Sequence, residues 1–272
     1  MRVEHVNLGV ARQDEATLFY VLGLGCTRDP DFFVGPGNAW MNFGRHQFHL
    51  PTIGAQVLRG TIGISVPSLP RLVARLEAVG PRLAGTKFAF AADADGVDIR
   101  CPWGNRFRAT QAPSDQAGDG RSIRYLRFDV PTGSASGIAR FYRDLLAAEV
   151  RSDEAGHAEV VCAEGQQLVF QESSAGTDAY DGHHIAIYVA DFDAVRQRLT
   201  DEGLVTSVEG AHQFRFVTIV EPGSAKVLYE LEHEVRSCDH PAFTRTLANR
   251  PIDGSELGMV DVIAKGATFS LV

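Results

Sequence analysis

The chain has 272 residues, 44% of them hydrophobic and 22% charged, with a formal net charge of -8 at pH 7. This is the composition of a packed protein with room for about two domains, so extensive disorder is excluded, and the acidic balance offers no footprint for a phosphate backbone, so no nucleic-acid partner is expected. No apolar run approaches the roughly 20 residues that span a bilayer, and the N-terminal MRVEHVNLGV alternates like a strand instead of forming a signal-peptide core, so a cytoplasmic protein with no membrane partner is expected.

In chain order, residues 2–10 alternate as a strand with Val6, Leu8 and Val10 on the apolar face and His5, Asn7 and Gly9 on the other. A helix is expected over 13–23, short strands near 31–34, 38–43 and 46–50, a strand over 60–66, a helix over 68–79, and strands near 86–91, 96–101 and 105–110. GPGNAW (35–40) has glycines but no helix after it, which makes it a turn and not a phosphate cradle. In RHQFHL, His46 and His49 fall on opposite faces, and only His49, beside Gln47, has the parity of His5. Cys26, Cys101, Cys162 and Cys238 are widely spaced without a CxxC pair, so reduced and mostly buried thiols are expected.

After APSDQAGDGRS (112–122), which has a linker's composition, the pattern returns. TIGISVPSLPRLVARLEAVG (61–80) aligns without a gap on HIAIYVADFDAVRQRLTDEG (184–203), and VEHVNLGV (3–10) matches IRYLRFDV (123–130). The second half puts Tyr125, Arg127 and Asp129 opposite Leu126, Phe128 and Val130, and puts His184, Ala186 and Tyr188 opposite Ile185, Ile187 and Val189. His183 points away from His184, so the two cannot share an ion on a regular strand. In AKVLYELEHE (225–234), Lys226, Leu228, Glu230 and Glu232 lie on one face.

The expected boundaries are a first domain over 1–111, a linker over 112–122, a second domain over 123–232 and a C-terminal extension over 233–272, read as wrapping over a domain or over a second subunit of a homodimer. The fold class is α+β. Helices too few to cover both faces of the sheets leave one face of each free as a cup.

The duplicated β-α-β-β-β unit, the FY helix followed by LGLG (19–25), the strand before each amphipathic helix and CPWGNRF (101–107) resemble the vicinal oxygen chelate superfamily over residues 1–232. That superfamily includes glyoxalase I, extradiol dioxygenases and antibiotic resistance proteins. The resemblance implies two tandem domains of curved mixed sheet and, in the second, a metal site on three strands, at the positions of Tyr125, His184 and Glu230. Tyrosine is a poor neutral-pH ligand, so His184 and Glu230 are the expected ligands of a divalent Fe, Mn or Zn ion, with Glu232 competing for the carboxylate position and Tyr125 moving a proton. The second cup adds Arg127, Asp129, Gln167 and Tyr188 as substrate contacts. The first holds His5, Asn7, His49 and Arg108, with Gln47 and Arg106, and suits an anionic or carbonyl-bearing small molecule. The expected function is metal-assisted catalysis on a small oxygen-bearing substrate, by ring cleavage with O₂ or by a lyase or isomerase step. The alternatives are a metal-free enzyme with His184 as base, and a metal-free binding or resistance-type protein without turnover.

Overall fold

The computed structural model of the chain describes residues 1–250 apart from 33, 36, 115–117, 154–155 and 176–177. Four β-α-β-β-β modules follow one another. The first comprises β1 (Arg2–Asn7), α1 (Gln13–Ala16) continuing into π-helical turns over Thr17–Gly23, β2 (Thr27–Arg28), β3 (Asn38–Phe43) and β4 (His46–Pro51). The second is β5 (Gly60–Val66), α2 (Leu69–Val79), β6 (Ala89–Ala92), β7 (Val97–Arg100) and β8 (Arg106–Gln111). The third is β9 (Ser122–Pro131), α3 (Ala135–Leu146), β10 (Val150–Asp153), β11 (His157–Val161) and β12 (Gln167–Ser173). The fourth is β13 (His184–Val189), α4 (Phe192–Asp201), β14 (Val205–Val208), β15 (Gln213–Val220) and β16 (Val227–Ser237). α2 starts where expected, because the Ser68 side chain accepts from Arg71 N–H and Pro70 needs no amide partner in the first turn.

Two eight-stranded mixed sheets result, in the orders β14-β15-β16-β13-β1-β4-β3-β2 and β10-β11-β12-β9-β5-β8-β7-β6. The first module therefore completes its sheet with the fourth, through antiparallel β1 and β13, while the second pairs with the third through β5 and β9. The sequence halves 1–111 and 123–232 each contribute to both sheets, so neither half makes a cup by itself. Each module's first strand runs parallel to that module's own last strand, and its other edge is covered by the first strand of the partner module, a choice that the alternation of apolar residues along one strand does not specify.

The apolar faces of the two sheets meet around the helices. Phe48 of β4 packs 5.9 Å from Phe107 of β8, with Tyr20 5.2 Å from Phe48, and Phe128 of β9 packs 6.2 Å from Tyr229 of β16. All of these rings are buried, and burying a side chain of this size stabilises by roughly 1.5–3 kcal/mol. Cys26, Cys101 and Cys162 are buried free thiols and Cys238 is half-buried. The polar faces turn away from this shared core.

β16 runs to Ser237, five residues past the expected end of the second domain at 232, and residues 238–250 then cross the polar face of the first sheet. Phe243 packs 4.9 Å from Tyr188, Arg2 lies over both rings, Asn42 donates to Ala248 C=O at 2.8 Å, and Asn249 exchanges two hydrogen bonds with Gly44. The rest of the expected extension, 251–272, lies outside the described residues. Among the described residues no helix is long and apolar enough to cross a membrane.

Candidate metal centre

The register of the first sheet sets Trp40, His49, Asn7, His184 and Glu232 in one cross-strand row, from β3 through β4, β1, β13 and β16. The next row holds Asn42, Gln47, His5, Ala186, Glu234 and Arg215. His5, His49 and His184 thereby converge: one ligand nitrogen from each lies within 4.8 Å of the others. The ring centroids of His49 and His184 are each 6.0 Å from that of His5.

Each imidazole is held by a different neighbour. His5 Nδ1 lies 3.3 Å from the Glu4 carboxylate. Glu4 is the extra residue of a β-bulge, since the pairing with β13 slips between Val3 and His5, and the bulge lets Glu4 and His5 share a side. Burial would raise the Glu4 carboxyl, but bonding and charge from His5, with Arg236 and Tyr188, outweigh it and hold the carboxyl down at about 2. The Tyr188 hydroxyl donates to Glu4 at 2.8 Å, and Arg236 ion-pairs with it. His49 engages Asn38 Oδ1 at 2.5 Å through Nε2, which leaves Nδ1 as its free nitrogen, and its ring stacks on Trp40 at 4.0 Å. His184 sits between two carboxylates, Glu232 at 3.9 Å and Glu234 at 3.8 Å, both clamped by Arg215.

The site keeps His49 and His184 neutral. Burial, then the charges of His5 and Arg215, push His184 down to about 2 and His49 down to about 3. Neutral imidazole is the form that donates to a metal. His5 Nε2, His184 Nε2 and Asn7 Oδ1 are buried without a hydrogen-bond partner among the described residues. Orphaned buried polar atoms are costly, and three of them on adjacent positions of one cup are what a divalent ion or its bound ligand would satisfy. The residues present therefore fit a metal.

The residues expected from sequence divide between the two sheets. His5, Asn7, His49, His184 and Tyr188 share the first cup, so the histidines of the first half and His184, expected in different cups, line the same one. Tyr125, Arg127, Asp129, Gln167 and Arg108 stand on the second sheet. There Arg108 is bidentate to Asp93 at 2.7 and 2.8 Å, Gln167 donates to Glu159 at 2.9 Å, and Asp129 joins Arg106 and Arg127, so this face is largely occupied by its own pairs. The Tyr125 ring fills the space over Gly63, where a Cβ would lie 2.1 Å from it, and burial raises its hydroxyl above the ordinary phenol range. Tyr125 and His184 are not brought together. Glu230 is exposed and stands across from Thr218, whereas Glu232 stands across from His184. His183 points into the core as parity requires, bonded to Asp181 at 2.6 Å. Glu4, Asn38, Trp40 and Glu234 carry no signal in sequence, because each depends on the bulge or on register between distant strands.

No family model matches the sequence, and no curated protein matches it. Solved structures do. A protein of Bacillus subtilis described as a candidate dioxygenase superposes with a TM-score of 0.61 at 16% identity, covering 98% of this chain and 96% of that one. Glyoxalase I from Zea mays superposes with a TM-score of 0.55 at 14% identity, covering 87% of this chain and 92% of that one. At such identities the likeness is one of fold.

Proposed function

We propose that this chain, built on the vicinal oxygen chelate fold, is a metal-assisted enzyme whose single centre lies in the cup of the first sheet, held by His5, His49 and His184. The observation that carries this reading is the convergence of three imidazoles within 4.8 Å, two of them with a buried and unpartnered Nε2. Three imidazoles suit Fe, Zn and related divalent ions. When bound, such an ion supplies Lewis-acid polarisation of a small substrate that presents adjacent oxygens.

The protein residues supply orientation and a proton acceptor. Glu4 holds the His5 ring so that Nε2 faces the cup, and Asn38 does the equivalent for His49. Asn7 Oδ1, between His49 and His184, accepts a hydrogen bond from a substrate hydroxyl. Glu232 is half-buried beside His184, with Arg215 on one oxygen, and takes a proton from a carbon or hydroxyl made acidic by polarisation. Trp40, stacked on His49 and meeting Phe32 edge-on at 5.0 Å, lines the cup with a flat apolar wall that excludes water.

A carboxylate base beside the histidines favours a lyase or isomerase step; ring cleavage with O₂ is the second reading. The test is turnover of compounds with adjacent oxygens by protein loaded with Fe(II), Mn(II) or Zn(II), with oxygen consumption followed in parallel. Turnover without O₂ uptake that falls sharply in Glu232→Gln supports proton transfer. Uptake of O₂ supports ring cleavage, and tight ligand binding without turnover by any metal-loaded form would leave a binding protein.

A further inference from the structure

The second sheet has no histidine cluster among its described residues, but at one end it carries a cavity of about 470 Å³ that the metal centre does not use. Four cationic side chains line it, Arg59, Lys87, Arg100 and Arg106, against two acids, Asp129 and Asp178. An excess of two positive charges is thus gathered in one cavity of a chain whose net charge is -8.

Among the described residues, only Arg106 of the four cations meets a carboxylate, Asp129 at 2.6 Å, and Asp129 is shared with Arg127 at 3.5 Å. Arg59 is held by the carbonyls of Asp178 and Glu230 and by the faces of Tyr180 and Tyr229, at 5.4 and 4.1 Å. Its charge is positioned without being neutralised. Among the described residues Lys87 and Arg100 have neither a hydrogen bond nor an ion pair through their side chains. Arg100 stands directly across β7 and β8 from Arg106, an arrangement of like charges that destabilises a sheet unless an anion lies between them.

The walls are fixed before any ligand arrives. The turn at 101–105, within the CPWGNRF segment, is tied to its neighbours: Asn105 accepts from Leu58 N–H and donates to Gln56 C=O, both at 2.8 Å. Lys87 N–H donates to Pro102 C=O at 2.9 Å. Trp103, 8% exposed, supplies an apolar floor beside the cations. Pre-placed cations around a cavity of small-molecule size form charge-assisted hydrogen bonds to oxyanions with little ordering cost.

We infer that this cavity is a second ligand site, which binds a small molecule through an oxyanion, either a phosphate ester or a polycarboxylate. It stands independently of the metal centre. The test is calorimetric titration of the full chain, without added metal, with inorganic phosphate and separately with malonate, at low salt. Saturable binding of one ion per chain is expected, weakened at least tenfold in Lys87→Ala/Arg100→Ala. Both positions are exposed, so this variant should keep the parent's thermal unfolding. Preference for phosphate identifies a phosphate ester site and preference for malonate a carboxylate site. Absence of binding by both probes, or binding unchanged in the double variant, overturns the inference.

Discussion

Glu4 and His5 are consecutive residues of one strand whose side chains nonetheless meet, the carboxylate 3.3 Å from His5 Nδ1, because the bulge between Val3 and His5 turns both toward the cup. The carboxylate fixes which ring nitrogen is left for the centre, and it ties that ring to Arg236 and Tyr188. Removing its charge while keeping its shape should weaken divalent-metal affinity by about 10–100-fold, the usual effect of losing a histidine-orienting carboxylate. Titration of Glu4→Gln with Zn(II) checks this. An affinity equal to the parent's would mean that Glu4 has no part in the centre.

Gly60 opens β5 where it runs against β9. A Cβ there would lie 1.7 Å from the backbone carbonyl oxygen of Arg127, and neither strand can give way without breaking the ladder that joins the second and third modules. Gly60→Ala should cost about 1–3 kcal/mol or more, as overpacking does. Urea unfolding measures it, and an unchanged midpoint would contradict the pairing of β5 with β9.

Acid should destabilise the fold well above the range where carboxylates titrate. Burial pushes both His46 and His233 down to about 3 from an ordinary 6.5. The unfolded chain therefore binds a proton at each of these positions between about pH 6.5 and 3 while the folded chain does not. Stability is complete above 6.5 and falls as pH drops through that window, by up to about 1.4 kcal/mol per unit for each histidine. Urea midpoints at pH 7.5, 6 and 5 should decline in that order; a constant midpoint would show that these imidazoles are not buried neutral.

Strand parity made the facing of individual side chains legible in sequence. His5, Asn7, His49 and His184 all take the polar side that alternation assigns them, and His183 takes the other. Parity does not report which strands lie side by side. The three histidines come from the first and fourth modules, and only the β1–β13 pairing brings them together. Nor can parity choose among Glu230, Glu232 and Glu234, which share one face of β16; that choice belongs to the register, which sets Glu232 across from His184. Tyr125 occupies a matching position within the repeat but on the other sheet, where burial and the close approach of Gly63 replace any part in the centre.

The most direct test of the account is calorimetric titration of the chain with Fe(II) under anaerobic conditions, and with Mn(II) and Zn(II), alongside His5→Ala, His49→Ala and His184→Ala. One ion per chain should bind, and each single substitution should weaken it at least tenfold, His5 and His49 as much as His184. Failure of all three ions to bind stoichiometrically, or affinity unaltered by the loss of His5 or His49, would contradict a three-histidine centre in the cup of the first sheet.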